Sequence, residues 1–350
     1  MAAAAVVGAI GLISKALGIV QFGIDNFPKS KSVDAVVRIT TGLDTPGGLQ
    51  NAGGSLPDVR LFNEAGDFLG LTADPGKIQN GGFADITISQ KGKNTQQATY
   101  ALFSANNDAI CIAYATITLP NQDKYSWVGD WGRQCGAKWY YSHVYIGSTG
   151  VTPDCMWIDG NNDQPQSGFQ IHWPEFYVPS GDSLPADPKE QSDKIDYFCS
   201  QGPAFKYYNY ATDPNPRNII YWTITNPRSE PLTAYGPAKE AESAKFRRDG
   251  TVYPRQTTNG TATNPHKDRL VISNNEKHTA DGLCGSDTSY GPDFVDMATG
   301  TFCRMSDKKQ FPLCDETITD NCFNTESKQL VVNGVSARAE PYNDILDWSE

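Results

Sequence analysis

Eight cysteines constrain this 350-residue chain more than any other feature. They are Cys111, Cys135, Cys155, Cys199, Cys284, Cys303, Cys314 and Cys322; the number is even, and none stands in a C-x-x-C pair. With only four histidines (His143, His172, His266 and His278), the tight ligand spacings of a structural zinc are missing. Four disulfides formed in an oxidising compartment fit the count. The alternative is eight reduced, mostly buried thiols in a cytosolic protein. The last four cysteines crowd into residues 284–322, rich in Gly, Asp and Ser, and are expected to staple a loop-rich segment with little core of its own. Sequence does not choose their pairing.

Lys plus Arg is 29 and Asp plus Glu is 40, so the net charge is −11. A chain this acidic lacks the dense cationic surface that phosphate backbones require, which excludes nucleic-acid binding as the main role. At 39% hydrophobic and 11% aromatic it is too apolar to be disordered. Its 32 glycines and 22 prolines point to a turn-rich, β-rich body.

Alternating, β-branched runs predict strands over 33–41, 58–62, 84–89, 97–104 and 109–118, with a hairpin turn at 63–68 and a turn at Asn106-Asn107-Asp108. Further strands are expected at 138–147, 154–158, 168–178, 219–225, 270–273 and 329–335. Asp187 as N-cap and Pro188 at the first position predict a short helix to 198. AKEAESAKFRR (238–248), between Pro237 and Gly250, predicts another. The tail is expected to end acidic and exposed. The fold expected is mainly β, with antiparallel sandwich-like domains. Its divisions are an apolar N-terminal helix or signal segment (1–27), a β-sandwich domain (31–120), an aromatic-rich β domain (121–280) and a disulfide-stapled C-terminal segment (281–350).

Residues 2–13, AAAAVVGAIGLI, are unbroken apolar or small, and ALGIV follows Ser14-Lys15. The run is shorter than a spanning helix needs. It reads as a secretory signal, as a helix lying in a membrane interface through residues 2–24, or as a helix docked on the protein's own core. The signal reading lacks a basic residue before the apolar run.

Signatures of chemistry are sparse. Gly181-Asp182-Ser183-Leu184 spells the GDSL string of one esterase family, but no histidine follows an Asp at the spacing that would supply its base. Asp159, Asn161 and Asp163 alternate as calcium ligands do, although Gln164 and Gln170 stand where an EF-hand needs Gly and Glu. Calcium is therefore the one cofactor the sequence suggests. His172 and Glu175 flank Trp173-Pro174; in an extended segment, positions three apart point to opposite faces. Trp127, Trp131, Trp139, Trp157 and Trp173 could line a ligand surface, since flat rings stack on sugars and sit at lipid headgroups. The alternative is that they fill a sandwich core. A single sequon, Asn259-Gly260-Thr261, adds little.

The stretches WVGDWGRQCGAKWYYSHVYI (127–146) and LCGSDTSYGPDFVDMATGTFCRMSDKKQFPLC (283–314) resemble segments of cysteine-containing proteins of filamentous ascomycete fungi. The resemblance implies a fungal, secreted or surface protein and carries over no catalytic residue. The strand rhythm of 33–118 is similar to that of lipid-associating β-sandwich domains of the PLAT and C2 kind, a likeness of fold alone.

The reading that gathers these features is a secreted, non-enzymatic protein that binds a glycan or lipid surface, in a toxin- or effector-like role. A hydrolase acting on a polysaccharide or ester, and a structural or storage protein, are the alternatives.

Overall fold

Alternating and β-branched runs become strands, and the Asn-, Asp- and Gly-rich breaks become the turns between them. The computed structural model describes residues 24–30, 33–42, 52–90, 96–147, 150–162, 164–176, 187–201, 204–221, 266–338 and 340–349. The apolar run 1–23, Ser183, residues 238–248, Asn259 and Asp163 lie outside the described residues.

In chain order the first strands are β1 (Asp34–Thr41), β2 (Gly54–Ser55), β3 (Asp58–Phe62), β4 (Phe68–Thr72), β5 (Lys77–Ile78) and β6 (Phe83–Ser89). Next come β7 (Tyr100–Ser104), β8 (Ile110–Thr118), β9 (Lys124–Val128), helix α1 (Asp130–Gln134), β10 (Trp139–Tyr141), β11 (Asp154–Ile158) and β12 (Gln166–His172). A 3-10 turn (Trp173–Phe176), helix α2 (Pro188–Asp196), a π turn (Tyr197–Gln201) and β13 (Phe205–Asn209) follow. The C-terminal part holds β14 (Arg269–Ser273), α3 (Ala280–Cys284), β15 (Asp293–Asp296), β16 (Thr301–Arg304) and β17 (Lys309–Pro312). It ends with β18 (Cys322–Asn324), β19 (Gln329–Val332), β20 (Val335–Ser336) and β21 (Asp344–Asp347).

Two antiparallel sheets form the sandwich. One runs β10-β11-β8-β1-β6, with β9 also on β8; the other runs β13-β12-β7-β3-β4. β9 and β11 share one edge of β8, β11 along Ile110–Ile112 and β9 along Tyr114–Thr118. Both sheets draw strands from 31–120 and from 121–280, so these stretches interleave and do not build separate sheets. The sandwich corners are closed: Thr72 Oγ1 on β4 donates to the Thr87 carbonyl on β6 at 2.7 Å. On the other side the Asp159 N–H donates to the Gln166 carbonyl at 2.8 Å.

Several boundaries differ from the sequence reading. The strand expected at 138–147 is limited to β10, and that expected at 168–178 leaves the sheet after His172. Residues 219–221 are not in a strand. Asp187 does cap α2, its Oδ1 accepting from the Lys189 and Glu190 N–H groups at 2.7 and 3.2 Å.

The C-terminal segment has more core than expected. Five of the strands from β14 onward form one sheet, β17-β16-β15-β14-β21, with β14 parallel to both β15 and β21. Val295, Phe302, Phe323, Leu330 and Tyr342 form a buried cluster with Leu270 and Ile272 of β14, which precede the segment. The acidic tail is not a free exposed end. Leu346 and Trp348, two apart, point inward while Asp347 points out; the period-two pattern is hidden among acidic residues. Trp348 is 2% exposed and lies face to face with His143 at 4.8 Å. Four disulfides are present, Cys111–Cys155, Cys135–Cys199, Cys284–Cys303 and Cys314–Cys322. Trp348→Ala is expected to cost about 3–5 kcal/mol, the range for emptying a buried aromatic site. An unchanged denaturation midpoint in unreduced protein would show that the tail is dispensable.

Candidate functional site

The five tryptophans fill the interior and do not line a surface; each is at most 3% exposed. Trp127, from β9, crosses between the sheets and stacks on Phe169 and Phe205 at 5.0 and 5.5 Å. Trp173 meets Phe103 edge-on. Trp131 stacks on Phe198 at 4.3 Å. Trp139 lies under the Arg133 guanidinium at 3.8 Å, and its Nε1–H donates to Ser286 Oγ. Trp157 donates to the Tyr290 carbonyl. Their flat faces are covered by other side chains, so stacking on a sugar would need the core to open.

The Asp159 turn closes a sandwich corner. Asp159 is fully buried and its Oδ2 accepts from the Gln164 N–H at 3.2 Å, while Asn161 is exposed. Among the described residues no three His, Cys, Asp or Glu side chains converge on a metal position.

His172 and Glu175 do meet, against the reading from an extended segment. The chain turns into the 3-10 turn after His172, which brings Glu175 Oε1 to 3.4 Å from its Nδ1. Glu64, on the β3–β4 hairpin, reaches Nε2 at 2.9 Å, and the Tyr197 hydroxyl donates to Glu175. Tyr100 stacks on the imidazole at 4.1 Å. Burial pulls the His172 pKa down, but the bonds to Glu175 and Glu64 outweigh it, and the net shift is upward. The hydrogen bond from His172 lowers Glu64. With a carboxylate on each ring nitrogen, this imidazole works as a clamp between hairpin, sheet end and π turn.

A second lysine-centred brace was not legible in sequence. Lys308 donates to the Ser289 carbonyl at 2.7 Å and to Ser289 Oγ. Burial, with Lys138 nearby, pushes its amine down to about 8. Ser289 Oγ gives its own proton to the Leu283 carbonyl at 2.6 Å, so the pair ties loops together and does not prime a nucleophile.

The most exposed large aromatic group among the described residues stands elsewhere. Phe83 opens β6 and is 63% exposed. Antiparallel register puts Thr40 opposite Phe83 and Arg38 opposite Asp85. Arg38 and Phe83 share the outer face of the sheet, and the guanidinium lies over the ring at 4.2 Å. The same guanidinium binds both Asp85 carboxylate oxygens, at 2.6 and 2.9 Å, and donates to the Asp25 carbonyl at 2.6 Å. Residues 24–27 are fixed on this face: Thr116 Oγ1 donates to the Asn26 carbonyl and Phe27 is 4% exposed. Asp25, at the start of the described residues, therefore stands one guanidinium away from an exposed phenyl ring. Phe83 carries no signal in the sequence, since one Phe at a strand end makes no pattern; only register places it beside Arg38.

No helix among the described residues is long and apolar enough to cross a membrane. The chain matches no protein-family model and no curated protein.

His172 makes the clamp testable. A raised folded-state pKa gives stability that is complete below the unfolded value of about 6.5 and is lost as pH rises through the folded value. Replacing His172→Gln is expected to cost about 1 kcal/mol under mildly acidic conditions, discounted because Glu64 is part-exposed. The loss should shrink in alkaline buffer. Denaturation midpoints across pH check it; an equal loss at every pH would show packing alone.

Proposed function

We propose that this is an extracellular, non-enzymatic protein that docks on a lipid surface, with residues 2–24 and Phe83 entering the interface together. The observation that carries the reading is the Asp25–Arg38–Phe83 contact. It ties the attachment point of the apolar stretch to an exposed aromatic ring on one sheet face. Aromatic and arginine side chains suit the headgroup layer, where a ring has one apolar and one wet side. Four disulfides are compatible with an extracellular setting.

Charge narrows the lipid class. A net charge of −11 is repelled by anionic headgroups, and Arg38 is already neutralised by Asp85. The surface that fits is zwitterionic, held by apolar burial with little dependence on salt. Lipid is preferred to glycan because the tryptophans that would stack on sugars are packed inside.

The test is co-sedimentation of the full chain with phosphatidylcholine vesicles. Burying a Phe side chain contributes about 1.5–3 kcal/mol, so Phe83→Asp should weaken partitioning at least about tenfold. Removal of residues 2–23 should weaken it further. Wild-type protein left in the supernatant, or Phe83→Asp protein that binds equally well, would overturn the reading.

A further inference from the structure

Near α3, at the seam between sandwich and C-terminal sheet, two buried carboxylates lie beside one cation. Asp130 opens α1 and is 2% exposed; Asp154 opens β11 and is 5% exposed. Arg133 Nη1 is 2.9 Å from Asp154 Oδ2. Asp130 Oδ2 accepts the Asp154 N–H at 3.2 Å, and its Oδ1 is buried with no hydrogen-bond partner among the described residues. The charged groups facing Asp130 are Asp154 from β11 and Arg133 from its own helix; Tyr141 from β10 faces Arg133. One guanidinium neutralises one carboxylate, and geometry gives it to Asp154. An ionised Asp130 would then leave a bare anionic oxygen in the interior, a costly arrangement that a bound proton removes.

We propose that Asp130 and Asp154 hold one proton between them in the folded protein at neutral pH, mainly on Asp130, and that this proton locks the seam. Arg133 is the reporter of the lock. Its guanidinium lies on Trp139, whose Nε1–H bonds Ser286 and whose N–H bonds the Thr288 carbonyl. Next to it the Tyr141 hydroxyl donates to the Thr279 carbonyl and accepts from its N–H. A Cβ on Gly282 of α3 would stand 3.6 Å from Arg133 Nη2. When the proton leaves to solvent, two buried carboxylates compete for Arg133 and draw it off Trp139 and away from α3. The pair is a device that loosens one side of the molecule on alkalinisation. Burial and the neighbouring Asp154 charge, which both raise Asp130, agree with this direction.

The sign follows from linkage. A carboxyl that keeps its proton longer when folded favours the folded state in acid and loses that advantage as pH rises. Carbon-13 detection of side-chain carboxyls in the wild-type protein tests the idea without a variant. One carboxyl should remain protonated at neutral pH, and its signal should be absent in Asp130→Asn. In Asp154→Asn, Arg133 is released to Asp130, which should then ionise as an ordinary aspartate. The difference in melting temperature between Asp130→Asn and wild type should grow in favour of the variant as pH rises. Full ionisation of every carboxyl in neutral wild-type protein would overturn the proposal. So would a protonated signal that survives in Asp130→Asn.

Discussion

The cross-links are what allow the rest of this architecture to exist. Helices α1 and α3 are five residues each, far below the roughly 12–15 residues at which a helix stands alone in water. Each ends at a half-cystine: Cys135 follows α1 and is tied to Cys199 in the π turn, and Cys284 closes α3 and is tied to Cys303 on β16. Cys111–Cys155 joins the neighbouring strands β8 and β11, and Cys314–Cys322 closes an exposed loop. A bridge of this kind contributes typically about 2–4 kcal/mol by restricting the unfolded chain. Short elements are thereby held where their few apolar side chains can pack.

Packing then follows the bridges. Trp131 on α1 stacks on Phe198, the neighbour of Cys199, so the Cys135–Cys199 bond and the aromatic pair fix the same contact. Around these points polar groups settle into local braces, the His172 clamp and the Ser289–Lys308 tie among them. Their chemistry is used to join elements whose own hydrogen-bond ladders are too short to do so. Phe83, the most exposed large aromatic ring among the described residues, stands on the face where Arg38 holds the Asp25 carbonyl.

Sequence made the local structure legible and the long-range pairing opaque. Strand β3 at 58–62, strand β11 at 154–158 and the Asp187–Pro188 helix start could be read because alternation and capping are local signals. The interleaving of β12 and β13 with β3 and β7 could not, since no local pattern records which strand pairs with which. The inward pair Leu346 and Trp348 was masked by the acidic residues between and beside them. Asp130 carries no local sequence signal; its meaning lies in Asp154, twenty-four positions away, and that contact is tertiary. His172 with Glu175 failed for the opposite reason: the strand was expected to continue, and a 3-10 turn intervened.

The most direct measurement is a thiol count. Protein purified without reductant is unfolded in denaturant, alkylated and mapped by mass spectrometry. The account requires that none of the eight sulfurs takes the label and that peptides bridge 111 to 155, 135 to 199, 284 to 303 and 314 to 322. Eight labelled sulfurs would contradict it, because α1 and α3 would then lack the bridges at their C-terminal ends.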